Sequence, residues 1–127
     1  MQKYFDEWNK TKKEINSRES VIYFHNRDIW MMQMGINIGF EQDGKGKNFQ
    51  RPVLVLKKLN TRFFIGVPLT KRCENKKHKL ALLENKNSSF LILSQIRAFD
   101  VKRLVYRMER ISQNRFDCIK QKIREYL

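Results

Sequence analysis

Apolar positions along this chain follow two rhythms, one near the period of a helix at each end and one near that of a strand in between. Phe5, Trp8 and Ile15 return to one face over residues 2 to about 17, with Lys10, Lys12, Lys13 and Glu14 between or opposite them, which predicts an amphipathic helix. That helix either lies across the domain or serves as an arm for a partner, and Ser17 to Ser20 reads as a link. Arg27 to Met34 is apolar and partly alternating, a strand closed by Gly35. Residues 41–50 hold two glycines, an Asn and an Asp, so a loop is expected there. Val53 to Leu56 is a short, continuous apolar run suited to a strand buried on both faces. After a turn at Asn60-Thr61, Arg62 to Leu69 forms the return strand, with Pro68 implying an edge or a bulge.

The second half continues in short pieces. Residues 71–79 are too rich in Lys and Arg for a core. Leu80 to Leu83 and Ser89 to Leu93 bracket the turn-rich tetrad Asn85-Lys86-Asn87-Ser88, which predicts a hairpin. Ser94 to Arg97 leads to a short strand or turn carrying Arg103-Leu104-Val105. A helix begins at Ser112, a good N-cap, and places Phe116, Ile119, Ile123 and Leu127 on one side. Hairpin-joined strands closed by one helix predict a mainly β fold, a small antiparallel barrel or strongly coiled sheet. The expected organisation is a helical extension over residues 1–20 and one domain over 21–127. Strands and helices do not alternate, which disfavours a parallel α/β fold.

Composition narrows the partners. The 127 residues carry 27 Lys and Arg against 13 Asp and Glu, a formal net charge of +14. Such an excess favours anionic partners: nucleic acid, an acidic protein or a membrane surface. Cys73 and Cys118 stand far apart without CxxC spacing, so neither a zinc site nor a disulfide framework is expected, and a reducing cytoplasm is the default location. No apolar run approaches the roughly 20 residues that cross a bilayer, and the first residues lack the apolar core of a signal peptide.

Chemistry concentrates where a polar, Gly- and Lys-rich loop meets the buried strand. Arg51 stands at that root, its planar fork matched to a phosphate, and Pro52 holds the backbone of Arg51 extended. Taken alone, a carboxylate at the strand end would be the more ordinary partner for it. Thr70 ends the next strand, where its hydroxyl either meets a phosphate oxygen or closes a turn. Glu41 is an acid inside a basic stretch, either a proton acceptor or half of a loop ion pair. Gln42 and Gln95 carry amides able to read base edges, and Phe40 and Phe49 flank the loop as stacking platforms or anchors. His25 and His78 have no nucleophile or second ligand beside them in sequence and read as structural or surface residues.

Taken in order, Arg27-Asp28-Ile29-Trp30, Gly39-Phe40-Glu41-Gln42, Arg51-Pro52-Val53-Leu54-Val55, Val67-Pro68-Leu69-Thr70, Leu93-Ser94-Gln95-Ile96-Arg97 and Lys102-Arg103-Leu104 resemble the PemK/MazF toxins over roughly residues 25 to 127. The resemblance implies an SH3-like barrel of the CcdB/MazF type with a C-terminal helix, working as a homodimer. It also implies a metal-independent endoribonuclease, without a cofactor, that cuts single-stranded RNA and is silenced by an acidic antitoxin. On that reading Arg51, Thr70 and Glu41 are catalytic, and Phe40, Gln42, Lys47, Gln95 and Arg97 contact RNA. The loop between Gln42 and Arg51 is longer than is common in the family, and the helix before residue 20 is an addition. Rival readings are a non-catalytic RNA-binding barrel, a relative that has lost activity, and a CcdB-like gyrase poison. Such poisons act through a C-terminal Trp-Gly-Ile, where this chain has Arg124-Glu125-Tyr126-Leu127.

Overall fold

The computed structural model describes residues 22–34, 50–72, 76–83 and 86–127, the side chains at 76, 83 and 86–88 excepted. The expected N-terminal helix and the loop that carries Phe40, Glu41, Gln42, Lys47 and Phe49 lie outside the described residues, as does Cys73.

The described residues form seven strands, three short 3-10 turns and one helix. The strands are β1 (Asp28–Gln33), β2 (Gln50–Lys58), β3 (Phe63–Thr70), β4 (Lys79–Leu83), β5 (Lys86–Ile92), β6 (Arg97–Asp100) and β7 (Leu104–Arg110). Helix α1 (Gln113–Tyr126) starts at Ser112, whose Oγ accepts from Arg115 N at 3.2 Å. All pairings are antiparallel, in the spatial order β4-β5-β3-β2-β1-β7, with β6 beside β3.

Alternation along β2 splits the core in two. Val53 and Val55 join Phe24, Trp30, Met32, Phe64, Phe99 and Leu104 on one side. Leu54 joins Ile29, Val67, Leu69, Leu91 and the helix residues Phe116, Ile119 and Ile123 on the other. β2 is therefore buried on both faces, as its continuous apolar run predicts. In the first core the rings of Phe24, Phe64 and Phe99 stack in series, 5.5 and 5.7 Å between centroids. The stripe on α1 ends differently from expectation, because Leu127 is exposed and Tyr126 packs against the core.

The expected closed barrel is not formed: among the described residues no ladder joins β7 to β4, and the sheet stays open. Two local causes are visible. β3 changes neighbours midway, pairing with β6 from Phe63 to Gly66 and with β5 at Leu69 and Thr70. Pro68 falls in the gap between the two, where that exchange spares β3 a donor that Pro lacks, so it sits within a paired strand and not at a sheet edge. At β4, Arg115 of α1 donates to the carbonyls of both Ala81 and Leu82. Consecutive carbonyls accept from one guanidinium because the β4–β5 register slips between Ala81 and Leu83. A helix side chain thus occupies backbone that a further strand would otherwise use.

The turns are resolved by side chains. Asn60 Oδ1 accepts from the backbone of Arg62 at 2.7 Å and Phe63 at 2.9 Å, an Asx turn at the expected place. The β4–β5 turn is tighter than the sequence suggested. Leu83 pairs with Lys86, so Lys86, Asn87 and Ser88 belong to β5 and not to the turn.

Candidate active site

Sheet registry brings Arg51 to Thr70. β1 pairs Met32 with Arg51, and β2 pairs Val53 with Pro68 on β3. Carried two residues further, the second register sets Arg51 across from Thr70. Arg51 Nη1 donates to the carbonyl of Leu69 at 3.0 Å, which fixes the guanidinium one residue from Thr70. Both side chains are buried, with relative exposures of 5% and 7%. A buried cation is stable only where acceptors compensate for lost water, and the Leu69 carbonyl supplies one. Thr70 Oγ1 accepts from the backbone of Arg72 at 3.2 Å, so the oxygen is oriented while its own proton remains to be donated.

Arg51 and Thr70 open onto one cavity of about 310 Å³, also lined by Gln50, Lys71, Ser89 and Glu109. Its other walls are apolar, among them Ile29, Pro52, Leu69 and Leu82. Two fixed polar groups in an apolar cleft, beside a second cation, suit a small anionic group such as a phosphodiester.

A second basic cluster borders the end of β1. Arg103 Nη1 donates to the carbonyls of Gln33 and Met34, each at 3.2 Å. Burial pushes the Arg103 guanidinium below its ordinary value; the neighbouring Arg97 charge adds to this and Asp100 opposes it. Because Met32 pairs with Leu104 on one side and Arg51 on the other, Arg103 and Arg51 flank the same end of β1.

The model of the PemK-like, MazF-like toxins of type II toxin–antitoxin systems matches residues 25–127. The chain belongs to this family. Solved structures that share its fold include an endoribonuclease in complex with its cognate antitoxin from a mycobacterial species, 10% identical with a TM-score of 0.58, which covers 82% of this chain and 94% of that one. Another is a MazE–MazF complex from Deinococcus radiodurans, 17% identical with a TM-score of 0.58, covering 82% of this chain and 96% of that one. Identities this low establish a common fold and nothing finer. Among curated proteins none matches the chain in sequence.

Within this PemK/MazF-family chain the other expected site residues divide. Glu41, Phe40, Gln42 and Lys47 lie outside the described residues. Gln95 is half-buried in a short 3-10 turn, Leu93–Gln95, and does not line the cavity. Arg97 is exposed on β6, with its guanidinium 4.7 Å from the Phe99 ring centroid and Nη2 3.8 Å from Met34 Sδ. It belongs to the Arg103 cluster and not to the Arg51 cavity. Lys71, Ser89 and Glu109 were not legible as site residues: Lys71 was one cation in a basic run, and Glu109 lay beyond the short strand or turn read at Arg103-Leu104-Val105. Each histidine has a side-chain partner outside the cavity. His25 Nδ1 accepts from Arg110 Nη2 at 2.9 Å, and His78 Nδ1 lies 2.8 Å from the Tyr126 hydroxyl.

Proposed function

We propose that this toxin-family chain is an endoribonuclease that cuts single-stranded RNA at a short preferred sequence through attack by the RNA's own 2′-hydroxyl. The observation that carries this reading is the meeting of Arg51 and Thr70 in one buried cleft, tied through the Leu69 carbonyl. In this scheme the guanidinium and the Thr70 hydroxyl hold the scissile phosphate and stabilise charge as the fifth oxygen bonds to phosphorus. The nucleophile is already tethered beside the phosphorus, so proximity replaces a metal-bound water and no cofactor enters the scheme. Glu41, Phe40, Gln42 and Lys47 would approach from the preceding loop, and Gln95 and Arg97 from the far side of β3.

The chain would act in the cytoplasm as a homodimer, held silent by an acidic antitoxin. Val105, Tyr106 and Met108 are exposed along β7, an edge strand of the open sheet, and support a partner there. The net charge of +14 supports an acidic one.

The test is to incubate purified protein with a mixed RNA in chelator and to map the new ends. The expected products carry 2′,3′-cyclic phosphates and 5′-hydroxyls at a recurring short sequence. Arg51→Ala should cut about 10²–10³ more slowly with its circular dichroism unchanged. Loss of cleavage in chelator would defeat the metal-free scheme, and an unaltered rate in the variant would defeat the role of Arg51. Co-purification with the product of the neighbouring open reading frame tests the antitoxin.

A further inference from the structure

Resting on the ribonuclease reading above, we infer that Glu109 is a catalytic residue of the cavity, the group that takes the proton from the attacking 2′-hydroxyl. A ribonuclease of this kind needs a proton acceptor, and neither residue of the phosphate grip can serve. Arginine stays protonated at any working pH, and Lys71 is likewise a cation. Thr70 and Ser89 offer hydroxyls, which are poor bases, and Gln50 an amide. Among the described residues that line the cavity, Glu109 is the one carboxylate.

Its position arises from an irregularity in β7. Ile29 pairs with Glu109, but the next residue of β1, Trp30, pairs with Arg107, leaving Met108 without a partner opposite. In a regular strand neighbouring side chains point to opposite faces. Here the bulge lets Met108 and Glu109 both line the cavity. The cation beside Glu109 in sequence does not neutralise it: Arg110 is committed to Asp28, Nε to Oδ1 at 2.6 Å, and to His25. No ion pair or hydrogen bond holds the Glu109 carboxylate among the described residues.

Glu109 and Arg51 line the one cavity, two strands and three residues apart along the pairing rows, on the order of 14 Å between backbones. In the step itself, the Glu109 carboxylate takes the 2′-hydroxyl proton while that oxygen bonds to phosphorus. The bond from phosphorus to the 5′-oxygen breaks, and the departing oxygen keeps the electron pair and takes a proton from solvent. Arg51 and Thr70 hold the non-bridging oxygens throughout.

Glu109→Gln keeps size and polarity at an exposed position, so the fold should survive, as a thermal melt would verify. With a defined RNA substrate, kcat should drop about 10²–10⁴-fold, KM should change little, and the acid limb of the pH–rate profile should flatten. Glu109→Asp should keep that limb at an intermediate rate, which a purely structural role would not produce. The inference is overturned if Glu109→Gln retains the wild-type rate and profile. It is equally overturned if the loss is confined to KM with the limb intact, or if Glu41→Gln removes the limb and Glu109→Gln does not. Wild-type protein that cuts no RNA removes the parent reading itself, an outcome distinct from an active enzyme indifferent to residue 109.

Discussion

Arg51 donates to the carbonyl of the residue just before Thr70, so the cation and the hydroxyl are joined by a single backbone step. At the opposite end of β1, Asp28 is fully buried and accepts from Arg110 Nε at 2.6 Å, from the backbone of His25 at 2.9 Å and from Trp30 Nε1 at 3.2 Å. Burial alone would raise the Asp28 carboxyl, but these donors outweigh it and hold the group below its ordinary value of 3.8. A carboxyl lowered by folding stabilises the native state above the unfolded value and loses that contribution as the pH falls through the folded one. Asp28→Asn should therefore cost about 1–2 kcal/mol at neutral pH, the lower part of the range for charged hydrogen bonds because Arg110 is partly exposed. The gap between the two proteins should narrow as the pH drops below about 4. Urea titrations at pH 7 and pH 3 check this, and a constant gap would contradict it.

At the scale of elements, β3 works hardest, pairing with β2 along one side and with β6 and then β5 along the other. Gly66 lies in its middle, opposite Val55 on β2 and Arg97 on β6. A Cβ there would sit 2.8 Å from both Phe64 Cε2 and Val53 Cγ2 and 3.3 Å from the Leu54 carbonyl oxygen. Those neighbours belong to a close-packed core and cannot retreat without strain. Gly66→Ala should lower stability by about 1–3 kcal/mol, read as a fall in the urea midpoint. A midpoint unchanged from wild type would mean that the strand shifts freely. The same strand places Thr70, so loosening it should also slow the RNA cleavage proposed for this chain.

For the whole molecule, the excess of cations is arranged and not merely diffuse. Arg51 and Lys71 line the cavity, and Arg97 and Arg103 cluster at the neighbouring end of β1. An RNA strand crossing both would exchange its counterions for these side chains. Binding of an uncleavable strand, 2′-deoxy at the scissile position, should weaken with salt along a log–log slope of about −2 to −3, the value for three or four neutralised phosphates. A slope near zero would show that the charge serves another purpose.

The local features were legible because their causes are local. A partly alternating apolar run marked β1, a continuous one marked β2, Asn60 marked the turn into the return strand β3, and Ser112 with Phe116, Ile119 and Ile123 marked α1. Arg51 and Thr70 stood out by residue type and position beside strands, and the charge pointed to an anion. Three decisions needed the assembled structure: that Leu69 ties Arg51 to Thr70, that a slipped register brings Glu109 into the same cleft, and that the sheet stays open where Arg115 meets β4. Each depends on which residues of distant segments lie opposite one another. Side-chain periodicity tells a strand which face to bury, but registry and choice of neighbour are set by packing across the whole sheet.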